Sequence, residues 1–283
     1  MKSSAIAVRL SIMMFLEFFI WGAWYVTVGN YMTQVGLSSF IGHAYSVGPI
    51  AAIISPFFLG MVADRFFATE RILGVLHILG GIAIYCSPML VGNEEIGAAV
   101  FLGLLLLHML CYMPTLGLVN TLSFHNMTDQ KKQFPLIRVF GTIGWIAANI
   151  FVSWYLKADE KALPLQVAGA CGILMGLYSF SLPHTPPPDR GKPVSLRDIL
   201  CIDAWKLLKD RSFTVFIVSS FLICIPLSAY YAFAPVFVND LGISNPTFKM
   251  SFGQMSEVFF MLVMPWFFKR LGVKWMLLVG MFA

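Results

Sequence analysis

Three charged side chains interrupt apolar stretches of the sequence in which a charge is costly. They are Glu17, Arg138 and Glu257. In the hydrocarbon core of a membrane a charged residue costs at least about 2.5 kcal/mol, so it marks a polar cavity by default. The polar side chains at helical spacing around these positions are therefore the first candidates for a site.

The segment around Glu257 presents a carboxylate beside an amide. Gln254 and Glu257 are three residues apart and share one face of a helix. Such a pair can bind a polyhydroxylated solute, and the carboxylate can also carry a proton. The alternative is a structural hydrogen bond to a neighbouring helix.

Arg138, Thr142 and Trp145 follow the i, i+4, i+7 spacing of another helix face. This face offers a guanidinium with five donors, a hydroxyl and an indole. The combination suits a solute with hydroxyls at one end and a flat ring at the other. The alternative is that Arg138, three residues after Pro135, only reaches back to the cytoplasmic interface.

Glu17, Trp21 and Trp24 repeat this spacing in the first apolar segment. Glu17 lies well inside that segment, which makes it a candidate cavity residue and a second candidate for carrying the proton. The tryptophans, Trp24 above all, are interpreted as anchors at the membrane interface.

Ser228 and Tyr231 form a weaker polar face behind Pro226. Both are candidate substrate contacts. Pro226 either breaks the helix, which is a common device near transport sites, or merely kinks it.

The composition places all these residues in a membrane. Of 283 residues, 58% are hydrophobic and 12% are charged, and the mean hydropathy is +0.79. Soluble domains have about 45–50% apolar and about 25% charged residues. A soluble globule and an intrinsically disordered chain are therefore excluded. The net charge of +5 does not indicate a nucleic-acid partner, because the basic residues are spread along the chain.

Eight apolar stretches are long enough to cross a membrane as helices. They lie at 6–27, 41–63, 72–91, 96–122, 136–156, 165–182, 213–238 and 250–268, and a ninth begins at Trp275. Helices are favoured over barrel strands because the runs show no alternation of polar and apolar residues. The sequence predicts an all-α membrane protein.

Basic residues are concentrated in alternate connections between these spans. One set of connections holds fifteen of the nineteen Lys and Arg residues and the other holds three, with Arg138 counted apart. This bias predicts a multi-pass protein of the cytoplasmic (inner) membrane, with a cytoplasmic amino terminus.

The spans fall into two groups. Residues 1–182 contain six spans, 183–212 form a polar, proline-containing cytoplasmic linker, and 213–283 contain the rest. Six helices, a linker and further helices are typical of a transporter with two six-helix halves. We expect the second half to be incomplete here and the chain to be a fragment of a longer protein.

The connection between the second and third spans contains Gly60, Asp64 and Arg65. This pattern resembles the G-x-x-x-D-[RK] signature of the major facilitator superfamily. Gly60 would let two helices approach closely, and Asp64 would pair with a basic residue to hold one conformation. The alternative is an ordinary charged turn.

The cysteines and histidines give no support to a metal or catalytic centre. The five cysteines are isolated from one another, and no histidine pair has a third ligand nearby. We therefore predict no metal, no catalytic residue and no cofactor.

Five stretches resemble the nucleoside:H⁺ symporter family of the major facilitator superfamily. They are Trp21-Gly-Ala-Trp24, the run 112–121, the run 134–144, Leu182-Pro-His184 and Gln254-Met-Ser-Glu257. The resemblance implies nucleoside uptake driven by the proton gradient through twelve helices. It also implies that Arg138, Thr142, Gln254 and Glu257 surround the nucleoside.

The seventh span departs from the family pattern. Ser228 and Tyr231 stand where the family has Gln-x-x-Asn. The main hypothesis is proton-coupled uptake of a nucleoside or a similar neutral molecule by alternating access, with Glu257 and Glu17 coupling the proton. The alternatives are transport of a sugar or other polyol, and a fragment that is inactive by itself. The sequence does not predict an oligomeric state.

Overall fold

A computed structural model describes residues 2–58, 64–91, 94–187 and 202–282. Eight long helices occur in these ranges: α1 (Lys2–Trp24), α2 (Ile41–Phe58), α3 (Thr69–Cys86), α4 (Glu94–Asn126), α5 (Gln130–Asn149), α6 (Leu163–Ser179), α7 (Arg211–Asp240) and α8 (Pro246–Phe282). Short helical pieces lie at Val28–Gln34, Ser38–Phe40, Asp64–Phe66, Ser87–Leu90, Ile202–Trp205 and Lys206–Lys209, and a π-helix at Ile150–Tyr155 extends α5. The described residues contain no strand, which confirms the all-α fold class.

The long helices coincide with the predicted spans. Within the described residues, five stretches are long and apolar enough to cross a membrane, and α6 is apolar but shorter. The five are Ala5–Gln34, Thr69–Leu90, Ile96–Asn126, Lys132–Tyr155 and Arg211–Asp240. The count of eight spans and the division into two halves stay predictions. Residues 188–201 of the predicted linker lie outside the described residues.

Two helices differ from the expected pattern at single residues. Pro226 does not break α7, which continues as one helix through both Pro226 and Pro235. Gly272 has a φ of 69° inside α8, a conformation that only glycine adopts readily. This interruption separates the predicted eighth span from the start of the ninth.

Glycines allow α3 and α6 to meet backbone to backbone. A Cβ atom on Gly81 would lie 2.8 Å from the Gly169 carbonyl oxygen, and one on Gly176 would lie 2.7 Å from the Gly74 carbonyl oxygen. Because apolar side chains gain nothing by leaving lipid, close van der Waals packing is what holds such helices together. The α3–α6 contact therefore has no room for a methyl group.

The same device brings α1 against α5. A Cβ atom on Gly141 would lie 2.7 Å from the Phe18 ring, and one on Gly144 would clash with the Phe15 carbonyl oxygen. A Cβ atom on Gly22 would lie 3.0 Å from the Trp145 carbonyl oxygen. This close approach positions the aromatic face of α1 beside the polar face of α5.

We expect Gly81→Ala to destabilise the helical bundle. The added methyl would force α3 away from α6, and overpacking of this kind costs about 1–3 kcal/mol of unfolding free energy. Thermal unfolding of the purified protein in detergent should show a lower Tm. The control is Gly103→Ala on α4, where a Cβ atom meets nothing within 4 Å. Equal Tm values for the two variants would contradict this account.

Candidate functional site

One cavity contains all seven residues that the sequence singled out as substrate contacts. Its volume is about 320 Å³, and it lies between α1, α5, α7 and α8. The seven are Arg138, Thr142, Trp145, Ser228, Tyr231, Gln254 and Glu257. A concave site of this size, apolar with a few convergent polar groups, is typical of small-molecule binding.

Arg138 points into the bundle. Its Cζ lies 4.1 Å from the centre of the Phe18 ring on α1, which stabilises a cation over an aromatic face. Its buried Nη1 has no hydrogen-bond partner among the described residues. A buried donor without a partner is costly, so this atom is suited to meet an acceptor on a solute. This position disfavours the alternative in which Arg138 only reaches back to the cytoplasmic interface.

The wall opposite Arg138 is made of acceptor groups on α7 and α8. Among the described residues, no cation lies within 4.0 Å of the Glu257 carboxylate, and the buried Oε1 of Gln254 has no partner. The Ser228 hydroxyl donates to the Ile225 carbonyl oxygen at 2.9 Å, so its lone pairs remain for a solute. The cavity thus has a donor on one side and acceptors on the other.

Aromatic rings close the space between these two walls. Trp21 packs edge-on against Trp145 with ring centres 5.7 Å apart, and Tyr25 packs against Tyr231 at 5.6 Å. Phe18 and Trp21 share one face of α1, Tyr25 follows directly after its last turn, and all three line the cavity. Sequence reasoning missed this aromatic face, although its i, i+3, i+7 spacing is visible in the sequence.

Trp24 is not an interface anchor. Only 1% of its surface is exposed, and its ring packs edge-on against His108, with ring centres 5.6 Å apart. The anchor interpretation is therefore wrong for this residue, because an anchor must face the lipid headgroups. Trp21, which lines the cavity, is likewise placed inside the bundle.

Glu17 is buried, but it does not line the cavity. Its side chain has no exposed surface, and its Oε2 lies 2.8 Å from the Nε2 of His77 on α3. It is thus part of a separate polar cluster behind the aromatic face of α1.

The predicted gating motif lies partly outside the described residues. Gly60 is not described, and of Asp64 only the backbone is described. Arg65 is buried. The gating role of the motif stays a prediction.

Among the described residues, a carboxylate connects the two predicted halves by a hydrogen bond at the end opposite this motif. Glu160, in the loop between α5 and α6, accepts hydrogen bonds from Gln34 at 2.9 Å and from Asn239 at 2.6 Å. Gln34 ends the helical extension of α1, and Asn239 lies in the last turn of α7. We call these two hydrogen bonds the Glu160 bridge. It lies at the end of the bundle that the distribution of basic residues predicts to be extracellular.

Comparisons with known proteins identify relatives along the whole chain. A sequence profile described as "Nucleoside H+ symporter" matches residues 4–283. The protein YegT of Escherichia coli (strain K12) is 40% identical over 99% of this chain, and the xanthosine permease of the same strain is 32% identical over 99%. The crystal structure of the nucleoside transporter NupG matches with a TM-score of 0.79, 30% identity and 95% coverage of this chain.

The match covers only part of each relative. This chain spans 66% of the length of YegT, 69% of the xanthosine permease and 69% of the NupG structure. The relatives are transporters and permeases, which confirms the prediction of a transporter rather than an enzyme.

We expect Glu160→Ala to separate the end of the helical piece Val28–Gln34 from the end of α7. Removal of the carboxylate leaves Gln34 and Asn239 without their common acceptor, so the two halves lose their hydrogen bond at this end. Spin labels at the exposed positions Val35 and Leu241 should show a longer and broader distance distribution. The control is Lys161→Ala, which removes a charge from the same loop. An unchanged distribution in Glu160→Ala would show that the bridge does not hold the halves.

Proposed function

Because this chain belongs to the nucleoside H⁺ symporter family, we propose that the protein takes up nucleosides together with protons across the cytoplasmic membrane by alternating access. The cavity is the single observation that carries this proposal. A guanidinium on one wall faces an amide and a carboxylate on the other, with aromatic rings between them. A nucleoside has the matching parts, namely a polyhydroxylated ribose and a flat base.

Arg138 and Glu257 are the proposed ribose contacts. A carboxylate accepts hydrogen bonds from sugar hydroxyls and a guanidinium donates to their oxygens, and hydrogen bonds to charged groups are the stronger ones. Thr142 and Gln254 add polar contacts, and Trp145 or Tyr231 faces the base.

The charges that line the cavity favour a neutral substrate. Arg138 and Glu257 are the charged side chains among the described lining residues, and they carry opposite signs. A phosphorylated nucleotide would require a cluster of cations, which these lining residues do not supply. A neutral nucleoside fits one positive and one negative side chain, and a negatively charged nucleotide does not.

Glu257 is the proposed coupling group in the cavity. A protonated carboxyl is cheaper than a carboxylate to hold in an occluded, lipid-surrounded site. Binding of a proton to Glu257 would therefore favour closure around the substrate. The proton gradient is the energy source, and the mechanism needs no cofactor.

The Glu160 bridge supports the alternating-access part of the proposal. It joins the loop after α5 to the end of α7, so it holds one end of the bundle closed. With a cytoplasmic amino terminus, this end is extracellular. The bridge must break each time the cavity opens to the outside.

A sugar or other polyol is the second candidate substrate. The Ser228 and Tyr231 side chains lack the amide groups that would read the edge of a base, and the Ser228 hydroxyl already donates to its own helix. A hydroxyl-rich solute without a base would still satisfy Arg138 and Glu257.

Uptake by the whole transporter in proteoliposomes tests the proposal. Labelled uridine and adenosine should accumulate when the outside is made acidic, and unlabelled nucleosides should compete at concentrations that sugars do not match. Competition by sugars alone would favour the polyol candidate. Absence of any pH-driven accumulation of nucleoside would contradict the proposal.

We expect Glu257→Gln to separate binding from coupling. The amide keeps the shape of the side chain but cannot take up a proton, so nucleoside exchange without a gradient should persist. Accumulation driven by a pH gradient should fall about tenfold or more, because a proton at this position no longer biases closure. The control is Asp240→Asn, which removes an exposed carboxylate at the end of α7. Full pH-driven accumulation in Glu257→Gln would remove this residue from the coupling role.

A further inference from the structure

Glu17 is a fully buried carboxyl group in the middle of α1. Its side chain has no exposed surface, and no lysine or arginine lies within 4.0 Å of it among the described residues. Instead, His77 on α3 and Thr115 on α4 contact its two oxygens, at 2.8 Å and 2.6 Å. A lone carboxylate without a cation is expensive at this depth, so the partners of Glu17 decide whether it can be charged.

Thr115 can serve either protonation state of Glu17. Its Oγ1 lies 2.6 Å from Oε1 of Glu17 and 2.5 Å from the Tyr112 carbonyl oxygen. A hydroxyl has one proton to donate, so it can donate to only one of these oxygens. When Glu17 is ionised, Thr115 donates to it. When Glu17 is protonated on Oε1, Glu17 donates to the Thr115 hydroxyl, and that hydroxyl donates to the Tyr112 carbonyl oxygen.

His77 supplies the second exchangeable proton position. Only 3% of its surface is exposed, and its Nε2 faces Oε2 of Glu17 at 2.8 Å. The pair carries one negative charge when a neutral His77 donates to an ionised Glu17. One additional proton, on either partner, makes the pair neutral overall.

Tyr112 and His108 each use one polar atom on a backbone carbonyl, and Nε2 of His108 has no hydrogen-bond partner among the described residues. The Tyr112 hydroxyl donates to the Glu17 backbone carbonyl at 2.7 Å, and Nδ1 of His108 lies 2.9 Å from the Gly80 carbonyl oxygen, to which it must donate. The groups that face this part of α1 are Tyr112 and His108 on α4, Arg138 on α5, and Tyr178 on α6, which donates to the Arg9 carbonyl. Among these groups, Glu17 and His77 are the two whose ionisable atoms contact each other directly, which makes them the exchanging pair.

We propose that Glu17 and His77 form a second proton-binding site of the transporter, distinct from Glu257 and outside the substrate cavity. The inference rests on the proposed symport function and extends it. One proton enters from the acidic side and converts the negatively charged pair into a neutral one, and the same proton leaves to the other side. Because the neutral form is cheaper to bury, the loaded pair stabilises the occluded bundle.

The site is connected to the cavity through α1. Phe18, next to Glu17, lies under the Arg138 guanidinium, and Trp21, one turn later, packs against both Tyr112 and Trp145. A substrate that displaces these rings therefore shifts the helix that carries Glu17. This is how proton binding at the pair and solute binding in the cavity would influence each other.

The test is the proton-to-nucleoside ratio of the whole transporter in proteoliposomes, measured from the pH gradient that balances a nucleoside gradient. In Glu17→Gln the ratio should fall by about half relative to wild type, while nucleoside exchange without a gradient stays within about twofold. His77→Gln should lower the ratio in the same way. An unchanged ratio in both variants would overturn the second site. Absence of nucleoside exchange in the wild type would instead overturn the proposed function.

A spectroscopic measurement keeps the inference testable if these variants do not fold. Infrared difference spectra recorded across a pH titration detect protonation of a carboxyl group through its carbonyl stretch. In a variant that lacks the cavity carboxyl and, apart from Glu17, the other buried carboxyls of the described residues, namely Glu257→Gln with Glu70→Gln and Asp159→Asn, a carboxyl band that titrates should remain. Loss of every titrating buried carboxyl band in this variant would contradict a proton site at Glu17.

Discussion

The hydrocarbon core of a membrane offers no hydrogen bonds, and this constraint governs the structure. Every polar side chain in the spans must find its partner inside the bundle. Arg138 does so partly through the Phe18 ring, and Glu17 does so through His77 and Thr115. The polar groups are therefore drawn between helices, and several of those that keep an unsatisfied atom, such as Nη1 of Arg138, line the cavity.

Glycine contacts make this arrangement precise. The α3–α6 and α1–α5 contacts bring helix backbones so close that no side chain fits between them. Helices in such contact keep their rotation about their own axes, because a turned helix would drive a side chain into its neighbour. This fixed rotation of α1 directs two faces of the helix to different surroundings. Glu17 faces α3 and α4, and the aromatic residues Phe18, Trp21 and Tyr25 face the cavity.

Helical spacing within single spans predicted much of the candidate site, and contacts between spans explain what it missed. Arg138, Thr142 and Trp145 repeat with the period of one helix, so their common face could be derived from the sequence before any coordinates. The pairing of Glu17 with His77 could not, because sixty residues separate them and no local pattern reports which helices are neighbours. A histidine in the middle of an apolar run was the available signal. Trp24 was misinterpreted because its type fits both an interface and a core.

The aromatic contacts across the cavity have a consequence for movement between the halves. Tyr231 on α7 touches Tyr25 and Trp145 through ring edges and faces, at 5.6 and 6.1 Å between centres. Aromatic pairs of this kind are held by ring contact alone, so a movement of α7 changes their geometry without breaking a hydrogen bond between them. The three rings can therefore remain in contact while α7 rotates against its neighbours.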